Sequence, residues 1–347
     1  MVTLHHRRIG SATMLSTHRP TVSRPTVSRR ALLAGAAGLV SSAALVACGA
    51  AKSSSNDASL ATNVALTPGD GTANLIALFG TDAAYKYVVS GHPQRLAFGI
   101  NDARGAHVLD VPTTLDFQLS KDGVPIGGAI PVVGHSDGVP IGYYPYRTTF
   151  DSPGQYEVQV TLDGVASTVR FDVGEPANSP LIQPGSAMVS VATPTLADHQ
   201  GVEPICTQPS GTCAFHTITV ARALTTGKAT ALLVSTPEFC QIGVCGPVLE
   251  LLNDIAPSYP LIQTIHAEVY TNAQAALDQT NSTVSKSAMP EAPAQAVDSA
   301  TLAPVIDAYG LSYEPALFIA NGSGQIVERL DNIFDRAELT AAFKRIS

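Results

Sequence analysis

The sequence has no tryptophan, only five cysteines, and no apolar run long enough to cross a bilayer. The nearest to such a run, residues 31–47, is 17 residues of mostly Ala, Gly, Leu and Val, short of the ~20 that a spanning helix needs. Residues 1–47 also lack Asp, Glu and Lys while holding six Arg. The 300 residues that follow lack any basic excess. They keep 14 of the 20 Lys and Arg and all 28 Asp and Glu, a net charge of −14. A body of that charge repels nucleic acid and anionic headgroups. It therefore excludes nucleic-acid binding and a purely electrostatic hold on a membrane.

What stands at the N-terminus is a basic stretch, a short apolar core and a run of small residues, the composition of a cleavable export signal. Arg29-Arg30 ahead of Leu32-Leu33 resembles the twin-arginine signal, without its usual Phe and Lys. Leu45-Val46-Ala47-Cys48-Gly49 resembles the lipobox of bacterial lipoproteins. That resemblance implies cleavage after residue 47, diacylation of the Cys48 thiol, and an extracytoplasmic chain anchored to the cell membrane. Two acyl chains give stable anchoring where one is marginal. Met14 is an alternative start.

With Cys48 lipidated, four cysteines remain in two close pairs, Cys206 with Cys213 and Cys240 with Cys245. An oxidising compartment favours disulfides. Cys206-Thr207-Gln208-Pro209-Ser210-Gly211-Thr212-Cys213 reads as a turn closed by a structural disulfide, with Pro209 and Gly211 making the bend. Zinc is the competing use of these four cysteines, with His199 and His216 near the first pair, but the spacing is wider than the usual C-x2-4-C. No metal or cofactor is expected.

Residues 48–71 are rich in Ser, Ala, Asn and Thr and read as a flexible tether. Residues 72–176 read as all β. Tyr156, Val158, Val160 and Leu162 alternate with polar residues, as do Val169, Phe171 and Val173 beyond Asp163-Gly164, which predicts a hairpin with one buried face. Leu115, Phe117 and Leu119 repeat the pattern before Asp122-Gly123, and further runs lie at 75–79, 94–100 and 130–133. About seven strands in ~100 residues suggest an immunoglobulin-like sandwich. Pro153-Gly154-Gln155-Tyr156 resembles the tyrosine corner of such domains. This stretch has neither Cys nor Trp, which excludes an antibody-type domain. His92, His107 and His135 are scattered singly and read as surface residues rather than copper ligands.

Residues 177–226 hold Pro, Ser and Thr with few apolar runs and read as a linker. From 227 to 347 the pattern turns α/β. A buried strand is expected at 229–234, and a helix through residue 256 with Val248, Leu251, Leu252 and Ile255 on one face. A strand follows within 261–270, then a polar insertion over 278–303 containing the Asn281-Ser282-Thr283 sequon, read as chance. A helix near 304–309, a strand at 316–320, a Gly-rich hairpin at 321–324, a strand at 325–330 and a helix at 336–346 complete the chain.

That order resembles the thioredoxin-like fold. Phe239-Cys240 falls where thioredoxins present an aromatic-Cys pair, Cys245-Gly246-Pro247-Val248 resembles Cys-Gly-Pro-Cys with its last Cys replaced, and Tyr313-Glu314-Pro315 resembles the cis-proline segment. Thioredoxins use C-x2-C, whereas this chain has C-x4-C. On an ideal helix, residues five apart place their Cα atoms ~8.6 Å apart, beyond the ~7 Å a disulfide tolerates. Bonding therefore requires Cys240 to lie upstream of a helix that begins near Gly246. The resemblance implies a membrane-tethered thiol–disulfide oxidoreductase that acts on exported proteins through Cys240, Cys245 and Pro315, with a separate redox partner protein. Cys240 is the candidate attacking thiol, and the reverse order stays open because Cys245-Gly246-Pro247 matches the family's first cysteine. Glu314 and Glu238 run against a stable thiolate, since a nearby carboxylate disfavours it. A peroxiredoxin of the bacterioferritin-comigratory type shares the C-x4-C spacing, but Pro237 stands where its threonine is required. The other rival is a binding lipoprotein with an inert disulfide on the same scaffold.

Overall fold

Among the described residues of the first half, alternating apolar positions mark most of eight strands: β1 (Asn74–Ala77), β2 (Pro93–Asn101), β3 (Thr114–Lys121), β4 (Val124–Pro125), β5 (Ile130–Val133), β6 (Tyr143–Thr149), β7 (Gly154–Leu162) and β8 (Val165–Val173). The structure is a computed structural model that describes residues 72–82, 87–240, 243–275 and 302–347. The export signal, Cys48, the tether up to residue 71, the Asn281 sequon and nearly all of the 278–303 insertion lie outside the described residues.

One antiparallel sheet has the order β1-β2-β6, and a second has β4-β3-β7-β8 with β5 also pairing β3. The inward faces meet over a core that includes Phe79, Phe98, Phe117, Tyr156 and Phe171. Edge-to-face contacts such as Phe98 on Phe117, with ring centroids 5.5 Å apart, order it. This arrangement is compatible with the expected immunoglobulin-like sandwich. Both Asp-Gly pairs turn as expected. Asp122 and Gly123 have φ of 50° and 76°, and Asp163 and Gly164 have 49° and 83°, the left-handed pair that a two-residue hairpin turn requires. The Tyr156 hydroxyl donates to the Ser152 carbonyl at 2.8 Å, the bond of a tyrosine corner. Sequence reading misses β6, because Pro145 interrupts it. Proline is tolerated there because β6 lies at a sheet edge.

The second half adds α1 (Val220–Ala223), β9 (Thr230–Val234), α2 (Cys245–Ile255), β10 (Gln263–Ala267), α3 (Pro304–Tyr309), β11 (Ala316–Ala320), β12 (Ile326–Asp331) and α4 (Arg336–Lys344). Their mixed sheet runs β10-β9-β11-β12. β9 and β10 are parallel, joined through α2, while β11 is antiparallel to both β9 and β12. All five residues of β9 are buried, as a sheet covered on both faces demands. Ala231 and Leu233 pack in the core with Val248, Leu252, Leu339 and Phe343. Leu232 and Val234 pack in the opposite core with Val305, Ile306 and Tyr309.

Residues 177–226, read as a linker, carry part of that second core. Leu181, Met188, Val202 and Val220 are buried in it. The Tyr309 hydroxyl bonds the Val189 carbonyl, and Met188 N–H bonds the Gly324 carbonyl. The apolar residues here are too widely spaced among Pro, Ser and Thr to show a period.

Candidate functional site

β9 ends at Val234, and the chain then passes through Ser235-Thr236-Pro237 to Cys240 before α2 begins at Cys245. Cys240 and Cys245 are disulfide-bonded with their Cα atoms 5.9 Å apart. Cys240 lies upstream of the helix, the arrangement that C-x4-C requires. Cys245 is fully buried at the first helical position, and Cys240 is half-buried. No side chain caps the N-terminus of α2. Its free N–H groups and dipole favour negative charge at Cys245 when the bond is open.

β11 brings the second part of the site. The Glu314–Pro315 peptide is cis, and Pro315 is buried just ahead of the strand. A Glu314 carboxylate oxygen and the two sulfurs of Cys240 and Cys245 all lie within 4.8 Å of one another. Thr236 N–H donates to Glu314 Oε2. Burial pushes the Glu314 carboxyl up to about 8, against the Thr236 hydrogen bond that lowers it and with the Glu268 charge that adds to it. Near neutral pH Glu314 is therefore an uncharged acid that can donate to a thiolate, and the like-charge conflict expected from sequence does not arise. Glu238 is exposed.

Glu268 is the second buried carboxyl behind the disulfide segment. Its Oε1 accepts from Thr207 N–H at 2.6 Å and from the Thr207 hydroxyl at 3.1 Å. Burial pushes it up to about 8 despite those bonds. The Thr207 hydroxyl also accepts from Glu238 N–H at 3.3 Å. Thr207 thus ties the loop after Cys206 to the chain just ahead of Cys240.

The expected Cys206–Cys213 disulfide is corrected by the structure. Both residues are free, buried thiols. The loop turns the two sulfurs toward histidines rather than into a bond with each other. Cys206, Cys213, His216 and His266 place one ligand atom each within 4.8 Å of one another, and all four are buried. Cys213 N–H points at Cys206 Sγ at 3.5 Å. A hydrogen bond from the Cys213 thiol holds Cys206 below the usual thiol range, and the same bond together with burial pushes Cys213 up.

His266 is absent from the sequence-derived site. It sits on β10, where Ile265 and Ala267 face the core of α3 while His266 and Glu268 take the alternate positions. Both of those polar side chains are fully buried. The alternation of His266 and Glu268 with Ile265, Ala267 and Val269 was the available signal. His199, considered as a ligand, is exposed and pairs with Glu203 at 2.7 Å. His92 bonds the Pro184 carbonyl and His135 bonds Asp335. Among the described residues no metal-ligating cluster contains two of His92, His107 and His135.

No protein-family model matches the chain, and no curated protein matches it. Among solved structures, a trigonal crystal form of titin M4 is similar over 30% of this chain and 97% of that one, at 11% identity and a TM-score of 0.19.

Proposed function

We propose that this chain is a thiol–disulfide oxidoreductase with a thioredoxin-like second half, held outside the cytoplasm by lipid on Cys48 and acting on exported proteins. The observation that carries the reading is the placement of the Cys240–Cys245 bond. It joins a half-buried sulfur to a buried one at a helix N-terminus, with the Glu314 carboxyl within 4.8 Å. The strand order β10-β9-β11-β12, with one parallel pair and an antiparallel hairpin, supports the thioredoxin-like assignment.

In the reducing direction the Cys240 thiolate attacks one sulfur of a target disulfide. The target S–S bond breaks, a mixed disulfide forms on Cys240, and the first target sulfur leaves as a thiolate. Cys245, its proton passing to the departing target thiolate, then attacks Cys240 Sγ. That step re-forms the Cys240–Cys245 bond and releases the second target thiolate. Two electrons have passed to the target, and a dithiol partner protein must return the pair to its reduced form. Run backwards, the same steps oxidise a target dithiol. Pro315, beside Glu314, is placed here as the residue that receives the target backbone.

Insulin reduction and the potential of the pair test the reading. Cys240→Ser should abolish catalysed insulin reduction. A potential well below about −300 mV, together with insulin reduction unchanged in Cys240→Ser, would sink it in favour of an inert scaffold. Cys240-dependent peroxide consumption would favour the peroxidase instead. Cys48→Ala should move the protein from the membrane to the soluble fraction.

A further inference from the structure

We propose that Cys206, Cys213, His216 and His266 form a tetrahedral site for one zinc ion, separate from the redox pair. The four ligand atoms lie within 4.8 Å of one another and are all buried. A tetrahedral zinc with S and N ligands at ~2.3 and ~2.05 Å sets its S···N edge at ~3.6 Å. Cys213 Sγ and His266 Nδ1 are 3.6 Å apart already.

Two observations point to a ligand independently of the clustering. His216 has no exposed surface, and neither of its ring nitrogens has a hydrogen-bond partner. A buried imidazole with both nitrogens unmatched is a costly arrangement that a metal bond relieves. His266 is held in the matching tautomer. Its Nε2 lies 3.0 Å from the Ser235 carbonyl oxygen, which can only accept, so Nε2 carries the proton and Nδ1 presents its lone pair toward Cys213. Metal-bound histidines usually donate their second nitrogen in this way.

Charge also fits. Both cysteines bind as thiolates, any thiol proton passing to solvent, and two thiolates neutralise the divalent ion. The filled site then carries no net charge into the core, which avoids the penalty of burying one. An S2N2 donor set at tetrahedral geometry suits zinc rather than calcium or magnesium, which take oxygen ligands. The sequence spacing hides the site, because His266 comes from a strand far from the Cys206 loop.

The test uses the full chain purified under reducing conditions, with zinc and cobalt(II) salts as probes. One zinc should bind per chain. Cobalt(II) should give thiolate-to-metal charge transfer and the intense visible bands of a tetrahedral ion. Cys240→Ser/Cys245→Ser should retain the metal, and Cys206→Ser and His266→Gln should each reduce it from one equivalent to none. The wild-type cobalt spectrum needs no variant to fold. Failure to bind either ion, an octahedral cobalt spectrum, or retention of metal in Cys206→Ser overturns the proposal. So does a Cys206–Cys213 disulfide in the protein isolated from its own membrane.

Discussion

Arg95 on β2 donates through Nε to Glu338 Oε1 on α4 at 3.0 Å, joining the sandwich to the α/β half through two buried side chains. The same guanidinium reaches the carbonyls of Asp331 and Ile333. Glu338 also accepts from the Tyr143 hydroxyl and from Arg147. Nearby, Asn332 bonds the Tyr87 hydroxyl and His135 bonds Asp335. The two halves therefore meet across a polar seam in which each named group has a partner, and fixed geometry is what such a seam supplies.

Breaking that ion pair should be expensive. Arg95→Met leaves a buried carboxylate with fewer partners and is expected to cost about 3 kcal/mol or more, read from urea unfolding at pH 7. Burial alone would raise the Glu338 pKa, but Arg95, Arg147 and the Tyr143 hydroxyl outweigh it and hold the group at about 2. A carboxylate lowered in the folded state contributes stability that is present above its ordinary value of 4.5 and lost as pH falls toward 2. The urea midpoint should thus drop between pH 5 and pH 2.5. Glu338→Gln should start lower and fall less over the same range.

The tyrosine corner offers a smaller, cleaner change. Tyr156→Phe keeps the ring, which packs on Phe150 with centroids 4.7 Å apart, and deletes only the bond to the Ser152 carbonyl. The expected loss is about 0.5–1.5 kcal/mol, with the slope of the denaturant curve unchanged. A loss near zero would mean that the hydroxyl's bond does not contribute to holding the corner.

Much of this fold was legible in the sequence because its elements announce themselves locally. Ala316–Ala320 is an unbroken apolar run, Pro304 opens α3 and Gly310 closes it in the left-handed conformation, and two Asp-Gly pairs mark hairpins. The strand containing Pro145 was not legible, because its tolerance depends on lying at an edge, which only the assembled sheet decides. The Cys240–Cys245 bond could be read because its geometry is set within six residues. Cys206 and Cys213 misled for the same reason. Their closeness in sequence suggested a bond, while one of the two histidines they face, His266, comes from a distant strand whose pairing register is set by the assembled sheet.

Glu314 couples stability to pH in the opposite sense from Glu338. Its pKa is raised to about 8 from an ordinary 4.5. The folded state therefore favours the neutral acid. That contribution is fully present below pH 4.5 and is lost as pH rises through 8, at about 1.4 kcal/mol per pKa unit of displacement. Glu314→Gln cannot ionise, so it should match the wild type near pH 4 and exceed it at pH 8.5. Glu268 remains raised in that variant, so the pH slope should flatten without vanishing. Thermal midpoints across pH 4–9 check this. If the variant and wild type change in parallel, Glu314 is not the titrating group.

In the proposed exchange, accessibility decides the order in which Cys240 and Cys245 act. Cys240 is half-buried and Cys245 has no exposed surface, so only Cys240 can meet a target sulfur without the helix moving. Cys245→Ser leaves the attack intact and removes the thiol that resolves it. Mixed disulfides between the variant and exported proteins should then accumulate, seen as reducible high-mass bands after acid quenching and alkylation. Cys240→Ser should trap none, because Cys245 cannot reach a partner. Bands that form on Cys240→Ser and not on Cys245→Ser would reverse the assignment. Such a reversal would require the first turn of α2, where Val244 and Val248 are buried in the core with Ala231 and Leu233, to leave that core, and would show as loss of amide protection at the start of that helix on reduction.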